Sequence, residues 1–140
     1  MNNLNAQEHF EPLIRDLIEA YGINKDIKLD LNIVPINFAM ETLIPLGLII
    51  NELISNSLKY AFSDKDDGVI TIHLKALNKV NSYELIIGDN GIGINNSSIE
   101  LHPNQIGTKL IHSFVKQLNG KIKIMDHPGT FYQIHFEGKN

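Results

Sequence analysis

Five segments of this 140-residue sequence have the character of β-strands, and their spacing constrains the fold most. Apolar and polar residues alternate in residues 27–34 and 69–77, which is typical of strands with one buried face. The hairpin loop NKVNS leads to a third strand at residues 83–89, and DHPGT joins two final strands at residues 121–125 and 131–136. Because most of these segments are adjacent in sequence, we expect a mixed, mostly antiparallel sheet.

Two segments with helical spacing lie outside the centre of the chain. In residues 8–21 the apolar residues recur every three or four positions, and Gly22 follows as a C-terminal cap. The second segment begins at Thr108, and Asn119–Gly120 is expected to end it. Both patterns predict helices with one apolar face.

A third, longer helix is predicted from about Thr42 to Ala61, with Thr42 as its N-cap and Pro45 in its first turn. Three helices beside a sheet with one apolar face must cover that face. The expected fold class is therefore α+β, a two-layer sandwich with the helices on one face. Its length fits a single domain over residues 1–140.

The composition excludes several kinds of protein. The net charge of −4 gives no electrostatic case for nucleic acid, and the absence of cysteine excludes disulfides, thiolate catalysis and cysteine zinc sites. No apolar run approaches the ~20 residues of a membrane-spanning helix, and the N-terminus lacks the apolar core of a signal peptide. We expect a cytoplasmic chain without direct membrane contact, which is compatible with the C-terminal part of a longer, membrane-attached receptor.

The central helix carries a narrow polar stripe on an otherwise apolar surface. At roughly 100° per residue, Ser55, Lys59, Glu52 and Asn56 fall within roughly 100° of arc in the stretch LGLIINELISNSLKYAF. One interpretation is a face in water, as on most surface helices. The other is a binding site, since asparagine is a poor helix former and two of them lie in this helix.

The residue types of the stripe suit a metal bound to phosphate. The amide oxygen of Asn56 is a suitable ligand for Mg²⁺, which keeps several waters and takes substrate phosphates. Glu52 lies one turn earlier, where it can orient water or a proton. Lys59 lies within one further turn and can pair with phosphate.

A second polar stretch, DNGIGI, follows the strand at residues 83–89. Asp89 ends an apolar strand, where an unpaired buried charge is costly. Gly91 and Gly93 alternate with Ile92 and Ile94, which leaves bare backbone between apolar side chains. This suits a flat, partly apolar ligand such as adenine, with its exocyclic amine on the carboxylate. Ordinary turn chemistry is the alternative interpretation.

Two further stretches are weaker by themselves. In QIGTKLI, Gly107 stands just before a predicted helix, whose first N–H groups favour phosphate, and Lys109 adds positive charge. In PGTFYQIHF, Gly129 and Thr130 lie between two strands, which is typical of a hairpin turn.

Together and in this order, the four stretches resemble the ATP-binding domain of sensor histidine kinases, in the GHKL or Bergerat-fold ATPase superfamily. NELISNSLKYAF looks like the N box, DNGIGI like the first glycine box, QIGTKLI like a reduced second glycine box and GTFYQIHF like the closing Gly-Thr strand. The resemblance covers essentially the whole chain. It departs in a short lid, about residues 95–106, and in a second glycine box that keeps only Gly107.

The resemblance implies a role for each matching position. Asn56 would bind Mg²⁺, Glu52 and Lys59 would act beside the phosphates, Asp89 would bind the adenine amine, and Thr130 would support that contact through water. Gly91 and Gly93 would shape the adenine pocket, and Gly107 would let the lid approach the phosphates. The full nucleotide-binding set comprises Asn51, Asn56, Lys59, Tyr60, Asp89, Gly91, Ile92, Gly93, Ile94, Gly107, Thr108, Lys109 and Thr130.

The implied function is to bind Mg²⁺-ATP and to donate its γ-phosphoryl group to a histidine. That histidine would belong to a separate dimerisation and phosphoacceptor domain of the same kinase, with a response regulator downstream. The six histidines of this chain are read as bystanders. Two alternatives keep the fold: an anti-sigma-type protein-serine kinase or binding module, and a degenerate ATP-binding domain that serves for docking.

Overall fold

The computed structural model describes residues 3–21, 27–61, 68–91, 106–125 and 129–139. Within these ranges the main sheet has the order β2-β4-β5-β7-β6. Only the β2–β4 pair is parallel there, and the other pairs are antiparallel, so the expected mixed, mostly antiparallel sheet is confirmed. The strands are β2 Lys28–Ile33, β4 Val69–Ala76, β5 Ser82–Asp89, β6 Lys121–Ile124 and β7 Thr130–Glu137.

Three α-helices accompany the sheet in the described part of the chain: α1 Ala6–Tyr21, α2 Met40–Asn56 and α3 Ile106–Gln117. Helix α2 lies on the connection between the parallel strands β2 and β4, which is the usual place for a crossover helix. It packs against both α1 and α3. The α+β class with a helical layer is thus as expected.

The core lies between the helices and one face of the sheet. The register places Ile72, Ile87 and Tyr132 abreast on that inner face, and all three are buried in the same cluster as Ile49 of α2. Polar side chains such as Gln133 occupy the opposite, outer face. This alternation follows directly from the period of two in the sequence.

A second, two-stranded sheet was not expected. Strands β1 Leu4–Asn5 and β3 Asn37–Phe38 pair antiparallel, and two residues are too short to show any period. Asn5 also caps α1, because its Oδ1 accepts a hydrogen bond of 3.1 Å from the Glu8 N–H. Helix α1 therefore begins at Ala6 rather than at residue 8.

The predicted start of the central helix was wrong. Helix α2 begins at Met40, and Thr42 is not its N-cap; the N-cap position is taken by Ala39, which makes no side-chain capping bond. The Thr42 hydroxyl is buried and instead accepts a hydrogen bond of 2.9 Å from the Lys139 N–H at the end of the chain. Pro45 consequently lies beyond the first turn of α2.

The end of the central helix also differs from the prediction. The α-helix stops at Asn56, and Ser57–Ala61 continue as a π-helical turn. Helix α3 begins two residues before the predicted Thr108, and Asn119 ends it with φ at 51° as expected. No helix among the described residues is long and apolar enough to span a membrane.

Candidate functional site

The buried carboxylate of Asp89 is the centre of the candidate site. Asp89 is the last residue of β5 and lies between Ile70 of β4 and Thr130 of β7, with 2% of its surface exposed. Its side chain points to the inner face, because it follows Ile87 by two positions in the strand. A carboxylate is thus placed at the edge of the core, where the helical layer meets the end of the strand.

One side-chain hydroxyl and two backbone groups hold the oxygens of this carboxylate. Ser57 Oγ donates a hydrogen bond of 2.5 Å to Asp89 Oδ2, and the Gly91 N–H donates one of 2.9 Å to Oδ1. Burial raises the pKa of Asp89 above its ordinary value, while the bonds from Ser57, Gly91 and the Thr130 backbone oppose that rise. The carboxylate has about four acceptor positions, so it retains capacity to accept a hydrogen bond from a ligand.

Gly129 allows β7 to start directly beside Asp89. Its φ is +84°, and a Cβ at this position would collide with the Asp89 carbonyl oxygen and would lie 2.9 Å from the Asn90 Cα. No other residue type fits without strain. The sequence showed Gly129 as part of a hairpin turn but gave no sign of this close approach.

Tyr132 and Asn90 complete the surroundings of Asp89. Burial and then the charge of Asp89 raise the pKa of Tyr132 to about 12, so its phenol stays neutral beside the carboxylate. Asn90 joins the end of β5 to the start of β4, because its Oδ1 accepts a hydrogen bond of 2.7 Å from the Val69 N–H. This hydrogen bond fixes the position of Asn90, the first residue after β5.

The polar stripe of the central helix is partly buried. Asn51, Glu52 and Asn56 are half-buried at the C-terminal end of α2, and Lys59 is exposed in the π-helical turn that follows. The same turn brings Ser57 against Asp89. The end of the polar stripe and the Asp89 carboxylate therefore lie near each other, because Ser57 directly follows Asn56 in the chain.

The start of α3 belongs to the same end of the molecule. A cavity of about 250 Å³ is lined by Thr42 near the start of α2 and by Gln117 at the end of α3. The start of α2 therefore lies beside the end of α3, and the two helices also pack against each other. Helix α3 runs back over roughly three turns, which sets its N-terminus near the Glu52 end of α2.

Gly107 differs in position from its prediction. It lies in the first turn of α3 rather than before the helix, together with Thr108 and the exposed Lys109. Its backbone N–H is still one of the unpaired groups of a helix N-terminus, which favour anions. Ile92, Gly93, Ile94 and the predicted lid up to residue 105 lie outside the described residues, as does the side chain of Tyr60.

The donor set at the end of α2 suits Mg²⁺. The described residues contain no group of three or more histidine and acidic side chains that could hold a metal. Asn56 and Glu52 offer hard oxygen atoms on successive turns of the helix. Such a partial set fits an ion that takes its other ligands from water and substrate phosphates.

Ser57, Gly129 and Tyr132 are the residues that sequence reasoning missed here. On α-helical spacing Ser57 lies about 100° beyond Asn56, outside the predicted stripe. That position lies on the apolar face of the helix, one turn after Leu53, and so faces the sheet. The sequence gives no sign that the hydroxyl at this position bonds to Asp89.

Residues 42–140 match a family model described as histidine kinase-, DNA gyrase B- and HSP90-like ATPase. A curated relative, the blue-light-activated histidine kinase 2 of Erythrobacter litoralis, is 22% identical over 98 residues. That match spans 70% of this chain but 28% of the relative, so the chain corresponds to a minor part of it.

Solved structures share the fold. The histidine kinase domain of the Erythrobacter litoralis EL346 blue-light-activated histidine kinase superposes with a TM-score of 0.85 at 19% identity, covering 96% of this chain and 61% of that chain. The mycobacterial sensor histidine kinase MprB superposes with a TM-score of 0.71 at 18% identity, covering 99% of both chains.

Proposed function

Because the chain belongs to the family of histidine kinase-, DNA gyrase B- and HSP90-like ATPases, we propose that it binds Mg²⁺-ATP and phosphorylates a histidine. The acceptor histidine lies on a separate dimerisation and phosphoacceptor domain of the same kinase. A response regulator then receives the phosphoryl group. The similarity to three proteins named as histidine kinases favours this reaction among those of the family.

The observation that carries the proposal is the buried carboxylate of Asp89. Among the described residues its oxygens are held by Ser57 and by the backbone of Gly91 and Thr130, all neutral donors, and burial of a carboxylate beside neutral donors alone is costly. A ligand that donates a further hydrogen bond offsets part of that cost. The exocyclic amine of adenine is such a donor, with Thr130 alongside to support the contact through water.

The phosphates extend from Asp89 toward the end of α2 and the start of α3. Lys59 and Lys109 are exposed there and supply positive charge. The N–H groups of Gly107 and Thr108 belong to the N-terminus of α3, which attracts anions. Asn51 and Asn56 complete this edge, Asn56 as the protein ligand of Mg²⁺.

Catalysis in this arrangement is positioning and neutralisation of charge, since phosphoryl transfer leaves the protein little covalent chemistry to perform. Bound Mg²⁺ supplies charge neutralisation at the phosphates. Lys59 stabilises the charge on the transferred group, and Glu52 orients the incoming nucleophile. The imidazole of the acceptor is itself the nucleophile, so Glu52 is not required as a general base.

The remaining predicted residues shape the nucleotide pocket. Tyr60 lines the nucleotide at the π-helical turn, and Gly91 brings its backbone N–H to Asp89 at the pocket entrance. Gly93 would shape the adenine pocket and the start of the lid, and Ile92 and Ile94 would contact the nucleotide. We also propose a cytoplasmic location, where ATP is available.

A thermal-shift measurement with a non-hydrolysable ATP analogue tests nucleotide binding. Analogue at 100 times its Kd stabilises the protein by about 2.7 kcal/mol, and this gain is expected to fall when Mg²⁺ is omitted. In Asn56→Ala the Mg²⁺-dependent part of the gain is lost, whereas the matched variant Asn32→Ala, exposed on β2, retains it. A protein that no adenine nucleotide stabilises is instead the degenerate domain.

Transfer of the phosphoryl group needs its own assay. Full-length kinase that contains this chain is incubated with ATP labelled at the γ-phosphate. The proposal predicts label on histidine, recognised because the phosphoryl bond is labile in acid and stable in base. Label on serine, stable in acid, would instead identify the protein-serine kinase alternative.

A further inference from the structure

The hydrogen bond between Ser57 and Asp89 joins the helical layer to the sheet. Ser57 Oγ lies 2.5 Å from Asp89 Oδ2, and the two residues are 32 positions apart in the chain. The Asp89 side chain is buried, and the Ser57 side chain is half-buried. A short hydrogen bond from a hydroxyl to a carboxylate is among the stronger hydrogen bonds of proteins.

The π-helical turn exists where this contact is made. Ser57 is the first residue of the turn, and its N–H bonds to the carbonyl oxygens of Leu53 and Ile54. A π turn departs from regular α-helical hydrogen bonding, and such turns are frequent at functional sites. Ser57 lies one turn after Leu53 on the apolar face of α2, so its hydroxyl faces the sheet and reaches the carboxylate, outside the arc of the polar stripe.

Bonds from different directions fix the plane of the carboxylate. The Gly91 N–H, from the backbone beyond β5, holds Oδ1, while Ser57, from the helical layer, holds Oδ2, and the backbone of Thr130 adds a bond from β7. Ser57 is the donor from the helical layer, so its loss leaves rotation of the Asp89 side chain less restricted. The Asp89 oxygen that accepts a hydrogen bond from a ligand amine is then not oriented before the ligand binds.

Ser57 also favours the charged form of Asp89. Burial raises the pKa of Asp89, and the Ser57 hydrogen bond is the largest of the influences that lower it, ahead of the backbone of Gly91 and Thr130. Tyr132 of β7 is the titratable group that interacts with Asp89 from the neighbouring strand. With its pKa at about 12, it stays uncharged and does not replace this effect.

We propose that Ser57 is a positioning residue that sets Asp89 as a fixed, ionised acceptor and thereby selects a purine with an amino group at position 6. This inference rests on the proposed ATP binding, which it deepens by naming what determines base specificity. Ser57 acts through Asp89 and not by contact with the phosphates. A purine with an oxo group at that position presents an acceptor to the carboxylate and is repelled.

The first test needs no nucleotide. The pKa of the Asp89 carboxyl is measured by carbon NMR in the wild type, in Ser57→Ala and in Ser57→Thr, which keeps the hydroxyl. The pKa is expected to rise in Ser57→Ala and to return toward the wild-type value in Ser57→Thr. Ser113→Ala, exposed on α3, is the matched control and leaves it unchanged. An unchanged pKa in a folded Ser57→Ala protein overturns the proposal.

The second test is base selectivity, from the Kd values of ATP and inosine triphosphate, which differ in the group at position 6. Ser57→Ala is expected to reduce the preference for ATP about tenfold, with the acid limit of ATP binding displaced to higher pH. Ser57→Thr and Ser113→Ala keep the wild-type preference. Equal selectivity in the wild type and Ser57→Ala overturns the positioning role alone. A wild type that binds no ATP overturns the proposed function and this role together.

Discussion

Strand β5 carries two buried carboxylates, Glu84 and Asp89, which differ in the charge of the groups around them. Glu84 is 8% exposed on the outer face, and Asp89 is 2% exposed on the inner face. The Glu84 oxygens lie 2.8 Å from His135 Nε2 and 3.5 Å from Lys75 Nζ, and Gln133 donates a further bond of 2.9 Å. Asp89 has neutral donors in their place.

The pKa values of these groups move in opposite directions. Burial raises the pKa of Glu84, but the His135 hydrogen bond, the charge of Lys75 and the Gln133 bond outweigh it and bring the net pKa below its ordinary value. For Asp89 burial prevails and the net pKa is raised. Glu84 thus has the partners that a structural ion pair needs, whereas the described residues around Asp89 supply neutral donors to its charge. A buried carboxylate of this kind at a strand end indicates a ligand site.

The largest expected effect concerns the backbone that positions Asp89. Gly129→Ala places a methyl group against the Asp89 carbonyl at a φ of +84°, and the protein should lose about 3 kcal/mol of unfolding free energy. Urea denaturation measures the loss. The matched variant Gly47→Ala, inside α2 with its new Cβ 3.4 Å from a Phe10 ring atom, is expected to gain about 0.5–1 kcal/mol. Equal stability of the Gly129→Ala and wild-type proteins would contradict this description of the strand end.

Glu84, the carboxylate on the outer face, should contribute to stability and not to nucleotide affinity. Glu84→Ala leaves Gln133 and His135 without their acceptor, which is expected to cost about 2 kcal/mol in urea denaturation. ATP affinity is expected to stay unchanged. Glu19→Ala, exposed on α1, is the control and should lie within about 0.5 kcal/mol of the wild type. A large loss of ATP affinity in Glu84→Ala would end the distinction between the two carboxylates.

The pH dependence of stability should separate the two carboxylates by sign. A raised native pKa means that folded Asp89 holds its proton above the ordinary value of 3.8, so its contribution to stability is lost as pH rises through the native pKa. A lowered native pKa means that the contribution of Glu84 is present above 4.5 and is lost as pH falls through the native pKa. The charged partners of Glu84, which are His135 and Lys75, are left in place in the two variants that test these signs, Asp89→Asn and Glu84→Gln.

Denaturation between about pH 3 and pH 7 checks these signs. Relative to the wild type, Asp89→Asn should gain stability as the pH rises, and Glu84→Gln should lose it. The two variants are therefore expected to diverge in stability as the pH rises toward neutrality. Slopes of the same sign in the two variants would show that both carboxylates are equally well compensated.

The sequence predicted the parts of this comparison that depend on periodicity. The apolar alternation of β5 placed Asp89 at the end of a buried strand, and the helical spacing of α2 placed Asn56 beside Glu52. The parallel pairing of β2 with β4 was compatible with a mixed sheet but was not specified. These features depend on patterns of two or 3.6 residues, which are visible in the sequence itself.

Features that depend on tertiary contact could not be predicted. Thr42 has the residue type of an N-cap, but its hydroxyl accepts a hydrogen bond from the Lys139 N–H, and the position of Ser57 on the apolar face does not indicate its bond to Asp89. The two-residue strands β1 and β3 carry no pattern at all. In each case the deciding partner lies more than 30 positions away in the sequence.

The most direct test of the central claim compares two isosteric substitutions on the same strand. Isothermal titration calorimetry with ATP and Mg²⁺ is performed on Asp89→Asn and Glu84→Gln, each of which removes one buried carboxylate charge. Asp89→Asn is expected to bind ATP at least tenfold more weakly than the wild type, about 1.4 kcal/mol, and Glu84→Gln is expected to bind it equally well. Wild-type affinity in a folded Asp89→Asn protein, or equal losses in both, would contradict the assignment of Asp89 as the adenine acceptor.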